Sequence, residues 1–276
     1  MVFLISLIFS GELVFQKATT HNLNPVVVSA FSINKNDDVC IVSNRLSLLF
    51  GKIDALSHVN FPISKSHKII WVESLKSFVL SDYQNNLVSF WDKNGSLLGK
   101  RNIYPEKYRD YLFLPENKVI RVKEDLNGPY TIQFLCEEKP VFSFNDNDNS
   151  RLREGTIVKR LNEPYSIWGN CESHICFYYS KLNYLTLISV HSQNEITQLP
   201  IEEDANIECI LFSDDQTILT CSPHGRYQKK VTLFDLTKGV SHSGLLFDYP
   251  KAISNGKLYL VDKNIVEVYN YKVSYD

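Results

Sequence analysis

The chain has 276 residues, of which 44% are apolar, enough for a packed interior in one large all-β domain or two small ones. No linker-like stretch interrupts it, so we expect a single domain over residues 1–276. Lys and Arg total 29 against 31 Asp and Glu, and the net charge of −2 argues against direct nucleic-acid binding, which needs a positive field along the phosphates. No run reaches the ~18 apolar residues of a membrane-spanning helix, so we expect no membrane partner.

The N-terminus allows two interpretations. Residues Met1–Phe9 are apolar apart from Ser6, as in a signal peptide, but neither Lys nor Arg precedes the apolar run. Ser10 and Gly11 are followed by Glu12–Gln16, which is typical of a turn and the return strand of a hairpin. We favour the hairpin, and a signal peptide stays the alternative.

Six short stretches recur along the chain, and each is a β-rich run that ends in a bulky apolar residue. Their spacing is loose, at roughly 45 residues of strand and turn, which is typical of the blades of a β-propeller. The remaining sequence alternates apolar and polar residues between turns, and we expect almost no helix. The six stretches are Leu46–Phe50, Leu87–Trp91, Tyr130–Phe134, Tyr184–Ile188, Val231–Phe234 and Ile265–Tyr269.

The clearest predicted blade lies between residues 68 and 103. Ile69–Val72 and Phe78–Ser81 are its first two predicted strands, and Leu87–Trp91 is the third. A turn, Asp92–Gly95, then leads into an outer strand that begins at Ser96–Gly99.

Residues 206–247 repeat this plan. Cys209–Phe212 and Thr217–Cys221 are predicted to pair through a turn at Ser213–Gln216. Val231–Phe234 follows as the third strand, and Asp235–Gly239 is the next turn.

These two segments resemble the repeats of WD-repeat propellers. Trp91-Asp92 and Phe234-Asp235 stand where the Trp-Asp dipeptide of that family closes the third strand, and Phe212–Asp215 is similar to its Phe-Ser-Pro-Asp corner. The Gly-His pair that precedes each blade in the family is missing from this chain. The resemblance implies an all-β propeller with degenerate repeats.

The two chain ends are predicted to share one blade. Residues 250–271 supply about three strands, and Glu12–Gln16 can supply the fourth, which removes the exposed edge that an open array would leave. We therefore expect a single β-propeller of six blades, closed by the N-terminal strand. Seven blades are possible if Leu4–Phe9 belongs to a blade of its own.

The cysteines indicate free thiols rather than a disulfide framework. The chain has six, irregularly spaced, which favours buried thiols in a cytoplasmic protein. Cys209 and Cys221 are symmetric about the predicted turn and should lie opposite one another, as neighbouring thiols or as a disulfide.

No metal or other cofactor is expected. Cys171, His174 and Cys176 form the densest cluster of possible zinc ligands, but zinc usually takes two close pairs, and Cys176 begins a strand-like run that can face the core. The Asp146–Ser150 stretch resembles the start of a calcium loop, but it lacks the glycine and glutamate that the loop needs later on.

Acidic turns are the candidate binding residues. If several project from one face, they would steer a basic protein partner, whereas solvated turns are the simpler interpretation. The residues predicted to bind a partner are Glu137, Glu138, Asp146, Asp148, Glu202, Glu203 and Asp204.

Enzyme signatures are absent: the sequence holds no nucleophile elbow, no phosphate-binding glycine loop and no His-Glu-x-x-His. We therefore expect no catalytic residues and a non-enzymatic protein-binding propeller, a monomer in a heteromeric complex. Its most concrete form is a cognate inhibitor, such as the immunity protein of a bacterial toxin that binds a basic nuclease. The alternatives are a scaffold in a larger assembly, and a propeller hydrolase or sugar-binding protein with a site on the central axis.

Overall fold

The computed structural model is built of β-strands. It describes residues 2–4, 8–65, 67–102, 108–113, 118–124, 130–136, 157–161, 167–171, 174–178, 184–189, 196–202, 206–214 and 216–274. Within these ranges every regular element is a strand and none is a helix, which confirms the predicted all-β class. It follows that no described segment forms a helix able to cross a membrane.

The described strands, in chain order, are β1 (Val2–Leu4), β2 (Ile8–Asn22), β3 (Val28–Ile33), β4 (Asp38–Ser43), β5 (Leu48–Lys52), β6 (Ala55–Val59), β7 (His67–Val72), β8 (Ser77–Asp82), β9 (Leu87–Trp91), β10 (Leu97–Asn102), β11 (Tyr108–Phe113), β12 (Lys118–Glu124), β13 (Tyr130–Cys136), β14 (Ile157–Leu161), β15 (Ile167–Asn170), β16 (His174–Tyr178), β17 (Tyr184–Ser189), β18 (Ile196–Pro200), β19 (Cys209–Asp214), β20 (Thr217–His224), β21 (Gln228–Asp235), β22 (Val240–Leu246), β23 (Pro250–Ser254), β24 (Lys257–Asp262) and β25 (Ile265–Ser274).

The chain divides into two compact units. An internal unit spans residues 24–164, and a terminal unit combines residues 1–23 with 165–276. The internal unit holds three four-stranded antiparallel sheets, β3–β6, β7–β10 and β11–β14, each of which follows chain order. Short connections suit this order, since an antiparallel pair needs only a hairpin turn.

The terminal unit holds a five-stranded sheet, β1-β18-β17-β16-β15, and an eight-stranded sheet, β19-β20-β21-β22-β2-β25-β24-β23, and these contain three further four-stranded arrangements of the same kind. Strands β15–β18 and β19–β22 follow chain order, and β23, β24 and β25 are completed by β2. The pairing of β2 with β25 is antiparallel from Glu12 to Asn22, so the predicted completion of the last sheet by the N-terminal strand is confirmed.

The first residues of the chain do not form the predicted hairpin. Among the described residues β1 pairs in parallel with β18, and the start of β2 pairs in parallel with β22, so the two N-terminal strands do not pair with each other. The segment Ser10-Gly11 lies inside β2, where Gly11 has a φ of 86° at a register shift. A bulge in a continuing strand therefore replaces the expected turn.

Five of the six recurring stretches lie within strands, the first enters its strand at Leu48, and each strand is the third of its four-stranded arrangement. These third strands are β5, β9, β13, β17, β21 and β25. The bulky apolar residues therefore recur along the sequence because each ends a stretch that contributes the third strand of an arrangement.

Trp91 and Phe234 occupy equivalent places in their two units. Trp91 is 2% exposed and packs between the β3–β6 and β7–β10 sheets, with Phe50 and Phe78 in the same cluster. Phe234 is also 2% exposed and packs between the β15–β18 and β19–β22 sheets. In both cases the large ring fills the space between neighbouring sheets.

The aspartates that follow these aromatics hold the next turns. Asp92 Oδ1 accepts hydrogen bonds from the backbone N–H groups of Asn94 and Ser96, at 2.9 and 2.7 Å. Asp235 Oδ1 accepts from the N–H groups of Thr237 and Lys238, both at 3.0 Å. Such Asx turns explain why an aspartate follows the aromatic residue in both segments.

We predict that Trp91→Ala destabilises the fold by about 3–5 kcal/mol, because truncation of a buried aromatic leaves a cavity between two sheets. The matched control is Leu97→Ala: Leu97 lies directly opposite Trp91 in β10 but is 44% exposed. The control should lose less than about 1 kcal/mol. Denaturant unfolding measures both, and equal losses would contradict the assigned packing.

We also predict that Gly244→Ala loosens the attachment of β2. A Cβ at Gly244 would lie 2.2 Å from the Leu13 carbonyl oxygen and 2.7 Å from the Phe15 ring, so the N-terminal strand would have to move. Overpacking of this kind costs about 1–3 kcal/mol. Amide exchange across residues 12–22 should rise, whereas Leu245→Ala, at an exposed neighbouring position, should leave it unchanged.

Candidate functional site

The candidate site lies at one end of the β19–β22 sheet and begins with an exposed aromatic hairpin. Strands β20 and β21 pair as far as His224 and Gln228, and Gly225 turns the chain between them with a φ of 64°. Tyr227, in this turn, is 68% exposed, and the Arg226 guanidinium lies 5.1 Å from its ring centroid. A cation–π contact of this kind helps to hold an aromatic ring in a defined position at the surface.

The next strand brings two more apolar side chains to the same end. Lys230 lies opposite Leu245 and Lys229 opposite Leu246, so Phe247 follows the end of β22 beside the hairpin. Side chains alternate along a strand: Leu246 faces the core at 4% exposure, while Leu245 and Phe247 are 44% and 76% exposed. We call Tyr227, Leu245 and Phe247 the exposed apolar patch.

Two lysines of β21 lie beside this part of β22, and both have partners. Lys229 Nζ lies 4.1 Å from the ring centroid of Tyr249, whose hydroxyl donates to the Glu208 carboxylate. Lys230 forms an ion pair with Glu202, whose side chain is 51% exposed. An apolar centre with a polar, partly paired border is the usual organisation of a protein-binding surface.

Asp248 is the carboxylate next to the patch in sequence. Burial raises its pKa, the charge of Lys251 works in the opposite direction, and the negative charge of Asp262 adds to the rise. Asp248 therefore loses its proton less readily than an exposed aspartate does.

A shallow cleft lies between the β15–β18 and β19–β22 sheets. Its volume is about 20 Å³, room for roughly one water molecule. One wall carries hydroxyl groups, including Thr232, which is 3.0 Å from the Ser243 hydroxyl. The lining residues are Pro200, Ile201, Glu202, Ile207, Thr220, Ser222, Lys230, Thr232 and Phe234.

Only one of the acidic residues predicted to bind a partner lies in the described part of the chain. This is Glu202, at the mouth of the cleft, where the ion pair with Lys230 offsets its charge. The others, Glu137, Glu138, Asp146, Asp148, Glu203 and Asp204, lie outside the described residues.

The possible zinc ligands divide between different environments. Cys176 is fully buried in the core between two sheets, as expected, and burial raises the pKa of its thiol. The Cys171 thiol donates to the His174 carbonyl oxygen at 3.8 Å. Within the described ranges, no three His, Cys, Asp or Glu side chains are grouped as a metal would require.

Cys209 and Cys221 lie directly opposite one another in β19 and β20, as the sequence predicts. Both are free thiols: Cys221 is fully buried and Cys209 is half-buried. Burial is the main cause that raises the pKa of the Cys221 thiol, and the interaction with the neighbouring Cys209 adds to the rise.

The exposed apolar patch is the feature that sequence analysis missed. Tyr227 follows Pro223, His224 and Gly225, and Phe247 stands just before Asp248 in another short connection. A large aromatic beside the Pro-His-Gly segment, whose composition is typical of a turn, was the available signal, because turns usually lie at the surface.

Comparison with known proteins identifies the class of fold. No family model matches the chain, and no curated protein matches it in sequence. A proposed exported protein of Bacteroides fragilis has a similar structure, with a TM-score of 0.60, 10% identity and 99% of each chain covered. Virginiamycin B lyase from Staphylococcus aureus, a β-propeller, gives a TM-score of 0.58 and 12% identity over 94% of this chain and 99% of the lyase. Hsv2 of Kluyveromyces lactis gives 0.51 and 11% over 85% and 70%.

The chain therefore has a propeller-like all-β fold. Identities of 10–12% among such similar structures establish the fold alone. The structural agreement extends over nearly the whole chain in the first two comparisons.

The predicted cytoplasmic location is wrong by this comparison, because the similar Bacteroides fragilis protein is a proposed exported protein. The prediction depended on the assumption that free thiols require a reducing compartment. Cys40, Cys176 and Cys221 are free and buried in the β-sheet cores. A buried thiol is largely inert in any compartment, so these cysteines do not identify one.

Proposed function

We propose that this protein is a non-enzymatic protein-binding propeller, which acts by covering a surface of a partner protein. The observation that supports this proposal is the exposed apolar patch. Tyr227 and Phe247 are the two most exposed large apolar side chains among the described residues, and they stand at the same end of one sheet. Exposed aromatics with a charged border are characteristic of binding hot spots.

A protein surface suits this patch better than a small molecule does. The neighbouring cleft, at about 20 Å³, has room for roughly one water molecule, and the aromatic rings project from the sheet instead of lining a pocket. Small-molecule sites are concave and bury most of their ligand. A partner protein can instead supply the pocket that receives Tyr227 or Phe247.

The finer architecture belongs to the same proposal: the six four-stranded arrangements are the blades of one closed propeller. Three observations support it. Each arrangement places its third strand in the same position, and β2 completes the last one. The similar structures also cover 94–99% of this chain. A rigid disc of this kind holds its connecting loops in fixed positions for binding.

The most concrete form of the function is the inhibitor of one cognate partner, such as an immunity protein that binds a basic nuclease toxin. This form relies on the acidic turns, of which Glu202 is the described member. A scaffold in a multi-protein assembly is the second form, since it would use the same exposed aromatic anchors. Steady turnover of a small-molecule substrate by the purified chain would contradict both forms.

We predict that Tyr227→Ala and Phe247→Ala each weaken binding to a captured partner by roughly 30-fold, the equivalent of about 2 kcal/mol for a hot-spot aromatic. The matched control is Leu97→Ala, which removes an exposed apolar side chain from the internal unit. All three variants should unfold at the wild-type denaturant midpoint, because the side chains are exposed. Unchanged affinity in both aromatic variants would contradict the assigned surface.

We also predict that Glu202→Lys slows association with a basic partner and leaves the fold intact. The change replaces an ion pair with two like charges beside the cleft, and exposed charges steer encounter. Asp54→Lys makes the same charge change in the exposed turn between β5 and β6 and is the matched control. Association rates across a salt series give the measurement. A salt-independent rate, equal in both variants, would contradict electrostatic steering.

A further inference from the structure

The second feature of the β19–β22 sheet is its pair of opposed cysteines. In an antiparallel ladder, residues directly opposite each other have Cα atoms about 4.5 or 5.5 Å apart. Disulfides span Cα separations of about 4.4–6.8 Å. The register that places Cys209 opposite Cys221 therefore gives the two residues a Cα separation in the range that a disulfide spans.

The two cysteines differ in their exposure to solvent, which affects how readily each thiol can react. Cys221 is fully buried among apolar side chains that include Leu219 and Val231, whereas Cys209 packs against the same cluster but is only half-buried. Cys209 is therefore the more accessible of the two thiols to a reagent from solvent. The ladder register places the two side chains on the same face of the strand pair, and the neighbouring Cys209 adds to the rise that burial causes in the pKa of the Cys221 thiol.

We propose that Cys209 and Cys221 form a redox-sensitive pair that closes into a disulfide when the protein meets a low-molecular-weight disulfide such as oxidised glutathione. The other described cysteines lack this arrangement. Asn170 lies opposite Ile175 in the β15–β16 pair, so Cys171 is not opposite Cys176. Cys40 lies opposite Phe50 in the β4–β5 pair.

The reaction has two exchange steps. The Cys209 thiolate attacks one sulfur of oxidised glutathione, a protein–glutathione disulfide forms, and the first glutathione leaves as a thiolate. The Cys221 thiolate then attacks the Cys209 sulfur, the intrachain bond forms, and the second glutathione leaves. Two protein thiols are oxidised and one oxidised glutathione is reduced to two thiols. Because burial raises the pKa of the Cys221 thiol, the second step should be the slower of the two.

The pair is placed where closure affects the candidate site. Cys221 stands in β20 shortly before His224, where the hairpin that carries Tyr227 begins, and it also lies opposite Val231 in β21. A covalent bond between β19 and β20 would hold the base of this hairpin. This redox inference depends on the cysteine geometry alone and not on the proposed function.

The test is incubation of the full chain with oxidised glutathione, followed by peptide mapping without reductant. We expect a 209–221 linked peptide that disappears on reduction, while Cys40 stays a free thiol because it is buried without a neighbouring cysteine. Amide exchange in residues 208–224 should slow in the oxidised protein. A wild-type chain in which both thiols stay free, or in which Cys209 keeps glutathione without closure, would overturn the proposal.

Two variants test the order of the steps. Cys221→Ala removes the second thiol, so glutathione should remain on Cys209. Cys209→Ser removes the accessible thiol, so Cys221 should react at least ten-fold more slowly than Cys209 does in the wild type, as expected for a buried thiol. Equal reactivity of Cys221 in the wild type and in Cys209→Ser would contradict the assigned order. Cys209 is half-buried, so Cys209→Ser should fold. The comparison of Cys221 reactivity can therefore be made even if Cys221→Ala fails to fold.

Discussion

The pairing of β2 with β25 is the constraint on which the terminal unit depends. It joins residues near the start of the chain to residues near its end through a ladder from Glu12 to Asn22. Without it, β25 would present a row of unpaired backbone groups, and the last sheet would have three strands and an open edge. The parallel contact of β2 with β22 connects that sheet to its neighbour, and Leu13 of β2 contributes directly to the buried core there. Strand β2 therefore stabilises the terminal unit in two ways, by backbone pairing with β25 and by burial of Leu13.

Much of this fold can be predicted from the sequence because its strands are local. Antiparallel hairpins need only alternation and turn residues, and both are visible between residues 68 and 103 and between 206 and 247. The path of β2 could not be predicted in the same way. Ser10-Gly11 has the composition of a turn, and only the free edge of β22, a distant part of the chain, makes a continuing strand with a bulge the better solution. Pairing with the distant strand β22 therefore determines the path of β2, although the local sequence favours a turn.

The candidate site was less predictable for a physical reason. Tyr227, Leu245 and Phe247 are ordinary apolar residues, and the sequence cannot show whether another sheet covers them. Leu246, between two of them, is buried, so the difference depends on the face of β22 to which each side chain points. Acidic residues are hard to interpret for another reason, because the sequence does not show which of their charges are paired in the fold. Glu202 suggests a free negative charge in the sequence, but in the fold it has Lys230 as a partner.

The β19–β22 sheet combines three properties at one end: an exposed apolar patch, a border of paired charges and a pair of opposed thiols. A hairpin end far from a core is held by few contacts and therefore opens more easily than the strands below it. Binding through Tyr227 requires this end to be ordered, and any order that exists before binding reduces the entropy cost of association. The contacts of Arg226 with Tyr227 and of Lys229 with Tyr249 supply part of that order without a covalent bond. A bond between Cys209 and Cys221 would act on the same hairpin from its base, so surface recognition and thiol chemistry would be coupled through the rigidity of one strand pair.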